Sequence, residues 1–169
     1  MTGVPSYDKL KTKVNLSEIF SLVTNARTAK VVVADDDQSA VELLREAFER
    51  SSMACEIDAV FSGQQLLDYL RKVDVAQCER PSLILLDLNM PGKDGRQTLS
   101  EIKADPNLRD IPIIIMTSSE LEEDIEKSYR CGVNAYLKKP TLFSDLVKMT
   151  SAIKDFWFGC ATLPQHPFS

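Results

Sequence analysis

Short apolar runs alternate with amphipathic stretches along the chain from residue 30 onward. An apolar run of a few residues, rich in Val, Ile and Leu, is typical of a strand buried on both faces of a sheet. The pattern predicts strands at residues 31–34, 56–61, 82–86, 111–116 and 135–138. Strands buried in this way need covering layers, so we expect helices on both sides of the sheet.

The intervening stretches carry apolar residues at helical spacing. In the stretch 38–50, for example, Val41, Leu44 and Phe48 fall on one helical face. The other predicted helices begin at the capping residues Ser62, Asp94 and Ser119 and at residue 141, the last reaching residue 158, while residues 73–81 are predicted to form a loop. Alternating strands and helices predict an α/β fold of (βα)5 type, doubly wound around a five-stranded parallel sheet.

Polar side chains follow four of the five predicted strands. They are Asp35-Asp36-Asp37 after the first strand, Asp87-Leu88-Asn89 after the third, Thr117-Ser118 after the fourth and Lys139-Pro140 after the fifth. Parallel strands bring their carboxyl ends to one edge of the sheet, where open α/β sheets hold their functional sites. The sequence therefore predicts one polar site built from four distant segments.

The residue types at this predicted site suggest a particular chemistry. Carboxylates gathered in one pocket repel one another unless a cation lies among them. Oxygen ligands without nearby Cys or His favour a hard ion, and Mg²⁺ is typically bound by one or two carboxylates. Lys139 would add a fixed positive charge and Thr117 a hydroxyl donor. Together these groups suit phosphoryl transfer onto a carboxylate.

The segments VVVADDD, LILLDLNMPGKDG, IIIMTSS and YLKKP resemble the receiver domains of response regulators, the CheY-like family. The resemblance covers about residues 30–158 and implies a flavodoxin-like sheet of order 2-1-3-4-5. It implies that Asp87 accepts a phosphoryl group from a histidine kinase. Such a protein is a signalling protein that promotes its own phosphorylation and dephosphorylation, and not a conventional enzyme.

The resemblance also implies roles for the other residues of the site. Mg²⁺, for which Mn²⁺ can substitute, would be held by Asp35, Asp36, Asp87 and the main-chain carbonyl of Asn89. Thr117 and Lys139 would contact the phosphoryl group, and the bond between Lys139 and Pro140 would be cis. Thr117 and Tyr136 would move as the switch, with Tyr136 changing rotamer.

Several residues also have simpler interpretations from local structure. Asp37 is expected to cap the first helix, and Ser119 to cap the fourth. Lys138 points to the opposite face of its strand from Lys139 and is expected to be a solvated charge. Tyr136 is either a plain core aromatic or, as the resemblance favours, a switch residue.

Three consecutive aromatic residues, Phe156, Trp157 and Phe158, lie near the end of the last predicted helix. Successive helical residues turn by about 100°, so at least one of the three should be exposed or covered by another segment. An exposed apolar patch often marks an interface. The pattern therefore favours self-association over a tail that folds back to cover the patch.

A narrower resemblance is carried by KADPNLRDIPIIIMTSS, the loop before Pro81 and IKDFWFGCATLP. These segments are similar to the small stand-alone response regulators paired with cyanobacterial phytochromes. This similarity implies a phytochrome-like sensor histidine kinase as partner, and a homodimer formed through the last helix region and the Trp157 tail.

Three segments make up the predicted domain organisation. They are an N-terminal extension 1–29, a receiver domain 30–158 and a C-terminal tail 159–169. In the extension, the spacing of Leu16, Ile19, Phe20 and Val23 predicts an amphipathic helix. That helix either docks on the domain, which the pattern favours, or forms an arm that binds a partner.

The composition of the chain argues against several other functions. The net charge of −5 argues against broad binding of nucleic acid, which rests on basic residues at phosphates. The four cysteines are dispersed and His166 is the only histidine, so we expect no zinc site and a reducing cytoplasm. No apolar run approaches the roughly 18 residues of a membrane span. We therefore expect neither direct DNA binding nor membrane association.

Three other functions compete with phosphoryl acceptance. A receiver-like interaction module independent of phosphorylation is disfavoured because the acidic cluster is complete. A haloacid-dehalogenase-like phosphatase would need a general acid two residues after Asp87, where this chain has Asn89. A flavin carrier would need a phosphate-binding loop after the first strand, where the aspartates 35–37 would repel phosphate.

Overall fold

The computed structural model describes residues 29–50, 55–74 and 79–164. The helix predicted in the N-terminal extension, together with Cys78 and His166, lies outside these ranges. Within the described residues, each helix is too short or too polar to cross a membrane.

Five parallel strands form a sheet in the order β2-β1-β3-β4-β5, which confirms the predicted topology. The strands are β1 (Ala29–Ala34), β2 (Cys55–Val60), β3 (Leu83–Leu86), β4 (Ile113–Thr117) and β5 (Ala135–Lys138). Strand order reverses at β1, which lies between β2 and β3, so the switch point falls at the carboxyl ends of β1 and β3. A functional site is expected in the crevice at this point.

The described helices follow the strands in alternation. They are α1 (Gln38–Glu49), α2 (Gly63–Asp74), α3 (Gly95–Ala104), α4 (Glu122–Arg130) and α5 (Phe143–Lys154). Three predicted caps are confirmed. The Asp37 carboxylate accepts the N–H groups of residues 39 and 40, the Asp94 carboxylate accepts that of Gln97, and the Ser62 hydroxyl accepts that of Gln65. Helix α2 ends two residues inside the stretch predicted as a loop.

The cap predicted at Ser119 is wrong. Helix α4 begins at Glu122, and Leu121 occupies its N-cap position without a side-chain capping bond. The loop after β4 is longer than the pattern suggests, so Ser119 lies too early in the chain to cap the helix. Its hydroxyl instead donates to Asp124 Oδ2 at 2.6 Å.

The last helix also differs from its prediction. Regular α-helix stops at Lys154, and Asp155–Cys160 continues as a π-helical turn. In this wider turn Trp157 and Phe158 pack against the domain's own core, while Phe156 is 56% exposed. The expectation that at least one aromatic residue is exposed is therefore confirmed, with Phe156 as the exposed residue.

Hydrophobic residues fill two layers, one on each face of the sheet. Alternate residues of β1 point to opposite layers, with Val32 in one and Val33 in the other. Helices α2 and α3 cover the first layer through Leu66, Leu70, Leu99 and Ile102. Helices α1 and α5 cover the second through Val41, Leu44, Phe48 and Ile153. This arrangement confirms the doubly wound α/β architecture.

Candidate functional site

The sheet brings the predicted site residues to one edge. The N–H of Asp87 donates to the carbonyl of Ala34 at 2.9 Å, which sets Asp87 beside the start of the acidic run after β1. The N–H of Lys139 donates to the carbonyl of Thr117 at 2.8 Å, which sets the lysine beside the end of β4. Parallel pairing thus gathers segments that are far apart in the chain.

Lys139 bridges two buried carboxylates. Its Nζ lies 2.6 Å from Asp87 Oδ2 and 2.7 Å from Asp35 Oδ2. Asp35 and Asp87 are both almost fully buried, and burying two like charges without a cation would be costly. The ammonium group therefore compensates the charge of both residues at once.

Main-chain N–H groups hold the remaining oxygens of the same carboxylates. The N–H of Asp37 donates to Asp35 Oδ1 at 3.1 Å, and the N–H of Asn89 donates to Asp87 Oδ1 at 3.1 Å. Each acceptor lies two residues before its donor, so the loops after β1 and β3 fold back on their own aspartates. These loops fix the orientation of both side chains.

The pKa values of the two carboxyl groups shift in opposite directions. Burial would raise the pKa of Asp87, but hydrogen bonds from Lys139, the Asn89 N–H and Thr117 outweigh it, so the value lies below the ordinary range. Burial raises the pKa of Asp35, and Lys139 offsets this only in part. Burial would lower the pKa of Lys139, but its two carboxylate partners raise it above the ordinary value.

Three carboxylates at this edge could hold a metal ion together. One oxygen each of Asp35, Asp36 and Asp87 lies within 4.8 Å of the others. Asp36 is exposed, whereas the other two are buried, so the group opens toward solvent on one side. Carboxylate oxygens without sulfur or imidazole ligands fit Mg²⁺ or Mn²⁺. Asn89 follows Asp87 by two residues, and the family resemblance implies its main-chain carbonyl as a further ligand of the ion.

Thr117 ends β4 with its side chain completely buried. Its hydroxyl oxygen accepts long hydrogen bonds of 3.4 Å from Asn89 Nδ2 and from the N–H of Ser119. The hydroxyl also contributes to lowering the pKa of Asp87, as a donor to a carboxylate does. The hydroxyl therefore lies near the carboxylate that the sequence predicts as phosphoryl acceptor.

Tyr136 is tied to the loop after β4. Its ring packs against the first core layer, and its hydroxyl donates to the carbonyl of Ser119 at 3.1 Å. Tyr136 is thus a partly buried core aromatic that also contacts this loop, and its role as a switch stays a prediction.

An ion pair next to this loop was missed by sequence reasoning. Arg96 on α3 donates to both oxygens of Asp124 on α4, at 2.7 and 2.5 Å. Asp124 is buried, and the bonds from Arg96, opposed by burial and assisted by Ser119, lower its pKa to about 2. The one available signal was an acidic residue in the first turn of a helix, which is too common to identify a partner.

At Gly95, the start of helix α3 lies directly against the backbone of Asp87 and Leu88, the residues that follow β3. A Cβ placed on Gly95 would lie 2.1 Å from the carbonyl oxygen of Asp87 and 2.7 Å from Leu88 Cα. The N–H of Gly95 donates to the Leu88 carbonyl at 3.0 Å. The absence of a side chain allows this close approach, which positions the loop carrying Asp87 and Asn89.

Two further expectations concern Pro140 and Lys138. The cis bond expected between Lys139 and Pro140 is wrong for this structure, since every peptide bond among the described residues is trans. Lys138 is exposed as expected, and its ammonium pairs with Glu120 at the surface. It does not take part in the group around Asp87.

Known proteins match this chain over most of its length. The family model described as the response regulator receiver domain matches residues 31–151. Response regulator Rcp1 of Synechocystis sp. is 37% identical over 135 residues, which cover 79% of this chain and 92% of that protein.

Solved structures give the same result. The crystal structure of the phosphorylated cyanobacterial phytochrome response regulator RcpA aligns with a TM-score of 0.77 at 39% identity, covering 82% of this chain and all of that one. The Mn²⁺-bound form of response regulator Rcp1 aligns with a TM-score of 0.74 at 36% identity, covering 81% of this chain and 99% of that one.

Proposed function

This chain belongs to the response regulator receiver domain family, and on that premise we propose that it accepts a phosphoryl group from a histidine kinase on Asp87. The observation that carries the proposal is the contact of 2.6 Å between Lys139 Nζ and Asp87 within the group of three carboxylates. Asp87 is a better candidate than Asp35, because the pKa of Asp87 is lowered, in part by Thr117, whereas that of Asp35 is raised.

The transfer uses Asp87 as an ionised nucleophile. A carboxylate oxygen attacks the phosphorus of a phosphohistidine on the donor protein, forming a P–O bond as the P–N bond breaks. The imidazole leaves with the bonding electron pair and takes up a proton at that nitrogen. A carboxyl group of ordinary pKa is already ionised at neutral pH, and the lowered pKa of Asp87 favours the ionised nucleophile further.

Lys139 and Thr117 stabilise the transferred group. The Lys139 ammonium is already beside Asp87 and would pair with a phosphoryl oxygen, where negative charge is concentrated. The Thr117 hydroxyl would donate to another phosphoryl oxygen. Water then hydrolyses the acyl phosphate at the same site, with the same residues around it, and this step ends the signal.

The metal ligands in this proposal are Asp35, Asp36, Asp87 and the carbonyl of Asn89. When bound, Mg²⁺ supplies positive charge that offsets the phosphoryl oxygens, and Mn²⁺ would substitute because it prefers similar oxygen ligands. The carboxylate oxygens within 4.8 Å of one another support this ligand set. Asp36 is the exposed member of the three carboxylates, so we expect the ion and the phosphoryl donor to enter at its side.

Signalling follows from movement of Thr117 and Tyr136. A phosphoryl group on Asp87 attracts the Thr117 hydroxyl and changes the loop that follows it. Tyr136 contacts that loop through the Ser119 carbonyl, so a change at Asp87 reaches the surface of α4 and β5. A covalent modification of this kind biases an equilibrium between two surface conformations.

The partners and organisation are part of the same proposal. The donor would be a phytochrome-like sensor kinase in the cytoplasm, and the output would be protein binding, with neither DNA nor membrane contact. A homodimer would form through the last helix region and the Trp157 tail, where Phe156 and Leu142 are exposed. The receiver domain at 30–158 would lie between the extension 1–29 and the tail 159–169.

Intact mass after incubation with acetyl phosphate and Mg²⁺ tests the acceptor role. The native protein should gain the mass of one phosphoryl group in the presence of Mg²⁺, and Asp87→Asn should gain none. Asp68→Asn is the matched control because it removes an exposed carboxylate on α2 and should be phosphorylated normally. No gain by the native protein, either from acetyl phosphate or from a phosphorylated kinase, would favour an interaction module independent of phosphorylation.

A further inference from the structure

Helix α4 is held to the domain mainly by polar contacts. Its buried residues are Asp124 and Ser128, whereas each of the helices α1, α3 and α5 buries at least one large apolar side chain. The Asp124 carboxylate accepts hydrogen bonds from Arg96 Nε, from Arg96 Nη2 and from the hydroxyl of Ser119. A segment with little apolar burial has low local stability, so these polar contacts decide where α4 and its preceding loop lie.

Ser119 connects this ion pair to the phosphoacceptor site. Its hydroxyl donates to Asp124, its N–H donates to the Thr117 hydroxyl oxygen, and its carbonyl accepts from Tyr136. Three contacts in three directions leave the residue little rotational freedom. A chain of direct contacts therefore runs from Arg96 through Asp124 and Ser119 to Thr117.

The direction of the Thr117 hydroxyl depends on this chain. A hydroxyl has one donor and two acceptor lone pairs, and here the oxygen accepts from Ser119 and from Asn89. With both lone pairs directed at these donors, the hydroxyl proton is left for Asp87 and for any phosphoryl group on it. Moving Ser119 would weaken that orientation and would also remove the acceptor of the Tyr136 hydroxyl.

We propose that Asp124, held by Arg96, is a positioning residue for phosphoryl acceptance, which acts through Ser119 to fix both Thr117 and Tyr136. This inference rests on the proposed function, since it concerns regulation of the same site. It means that α3 and α4 hold the loop after β4 in place before the phosphoryl group arrives. A partner that binds α4 would then alter phosphorylation by moving Asp124.

Three variants test the inference with two readouts. Asp124→Asn breaks the charge pair with Arg96. Ser119→Ala removes the hydroxyl that joins Asp124 to the loop, together with a long bond from the Leu121 N–H, and Ser119→Thr keeps that hydroxyl. The readouts are the rate of phosphorylation by acetyl phosphate and the ring resonances of Tyr136 in protein with labelled tyrosine, assigned with Tyr136→Phe.

Asp124→Asn and Ser119→Ala should each lower the phosphorylation rate at least about fivefold, as expected for losing a hydrogen bond to a charged group. Both should also move the Tyr136 signals toward those of a solvent-exposed ring. Ser119→Thr, which keeps the hydroxyl, should leave both the phosphorylation rate and the Tyr136 signals close to native. Ser119→Ala keeps the ion pair between Arg96 and Asp124. A slower phosphorylation rate in this variant therefore cannot be attributed to the loss of stability that breaking the pair would cause in Asp124→Asn.

Arg130→Gln is the matched control, since it removes an exposed ion pair with Glu126 on the same helix and should leave both readouts unchanged. Beryllofluoride binding by the native protein with Mg²⁺ separates the two ideas. If the native protein binds it and Ser119→Ala keeps the native rate and Tyr136 signals, the positioning role is overturned. If the native protein neither binds it nor is phosphorylated, the proposed function itself has failed.

Discussion

The ammonium nitrogen of Lys139 lies 2.6 Å from Asp87 Oδ2, at the centre of a buried acidic group. The same nitrogen lies 2.7 Å from Asp35, so one cation serves two carboxylates. The Lys139 ammonium has two roles. It stabilises the two buried carboxylates of the resting protein, and the same charge is proposed to stabilise a phosphoryl group on Asp87.

Lys139→Met should therefore destabilise the protein in a pH-dependent manner. Without the ammonium, burial and mutual repulsion would raise the pKa values of Asp35 and Asp87 above their unfolded values. Carboxyl groups with raised folded-state pKa values favour the fold at low pH and oppose it as pH rises. The loss in free energy of unfolding should be larger at pH 7 than at pH 4, by about 2 kcal/mol or more.

Urea unfolding at the two pH values measures this difference. Lys138→Met is the control, since its surface pair with Glu120 should contribute less than about 1 kcal/mol at either pH. An equal loss at pH 4 and pH 7 for Lys139→Met would show that the lysine does not compensate the buried acids.

Mg²⁺ should raise the melting temperature of the native protein. A ligand that binds only the folded state stabilises it by RT ln(1 + [L]/Kd), so the rise should grow with Mg²⁺ concentration and disappear with EDTA. Asp36→Asn should reduce the rise strongly, because it removes an exposed ligand of the three-carboxylate group. Asp37→Asn should behave as native, since Asn also caps helices well and Asp37 is not in that group. Scanning calorimetry with and without the ion decides between these outcomes.

Gly95→Ala should destabilise the fold by about 1–3 kcal/mol, the usual cost of overpacking. The added methyl would meet the Asp87 carbonyl at 2.1 Å, and this neighbour is backbone that cannot rotate away. The same displacement should slow phosphorylation. Gly159→Ala is the control, because nothing lies within 4 Å of a Cβ at that position. Urea unfolding and intact mass measure the two effects, and equal behaviour of the two variants would contradict the close packing.

The Asp124 carboxylate should contribute to stability in a defined pH range. The bonds from Arg96 lower its pKa to about 2, below its ordinary value, so its contribution is complete above about pH 4 and is lost as pH falls toward 2. The free energy of unfolding should therefore differ between native protein and Asp124→Asn by about 2 kcal/mol at pH 6. Denaturant titrations between pH 6 and pH 3 should show this difference narrowing as pH falls, and a constant difference would contradict the assignment.

Phe156 and Trp157 should respond differently to substitution. Phe156 is 56% exposed and touches Trp157 edge-on, so Phe156→Glu should convert a dimer to monomer and lower the melting temperature only slightly. Trp157 is partly buried against the core, so Trp157→Ala should lower stability by about 1–3 kcal/mol, less than for a fully buried Trp, whatever the oligomeric state. Light scattering after a sizing column reports the mass. A native protein that is monomeric at high concentration, both phosphorylated and unphosphorylated, would exclude the proposed dimer.

Local patterns explain why most of the fold was predictable. The buried strands are nearly all apolar, and their predicted bounds lie within two residues of those observed. The caps at Asp37 and Asp94 bind N–H groups only two or three residues further along the chain, so they can be recognised from the local sequence. The three aspartates 35, 36 and 87 and Lys139 meet because parallel pairing brings the strand ends together.

The residues that were misread depend on contacts between elements. Ser119 resembles a helix cap in sequence, yet its hydroxyl is taken by Asp124 because the loop after β4 is longer than the pattern indicates. The pairing of Arg96 with Asp124 joins the first turns of two helices and leaves no periodic signal. The π-helical turn at Asp155–Cys160 also lacks a local signature, since the packing of Trp157 and Phe158 decides where that turn points.

The sequence by itself determined the alternation of strands and helices, the polar residues at the strand ends and the membership of the family. These features follow from side-chain periodicity and from the chemistry of a few motifs, both of which act over short distances along the chain. The tertiary structure alone decided that Lys139 serves two carboxylates, that Gly95 lies against Asp87 and that Ser119 connects Asp124 to Thr117. These contacts require the relative positions of whole elements, which are set by packing in three dimensions and not by neighbours in the chain.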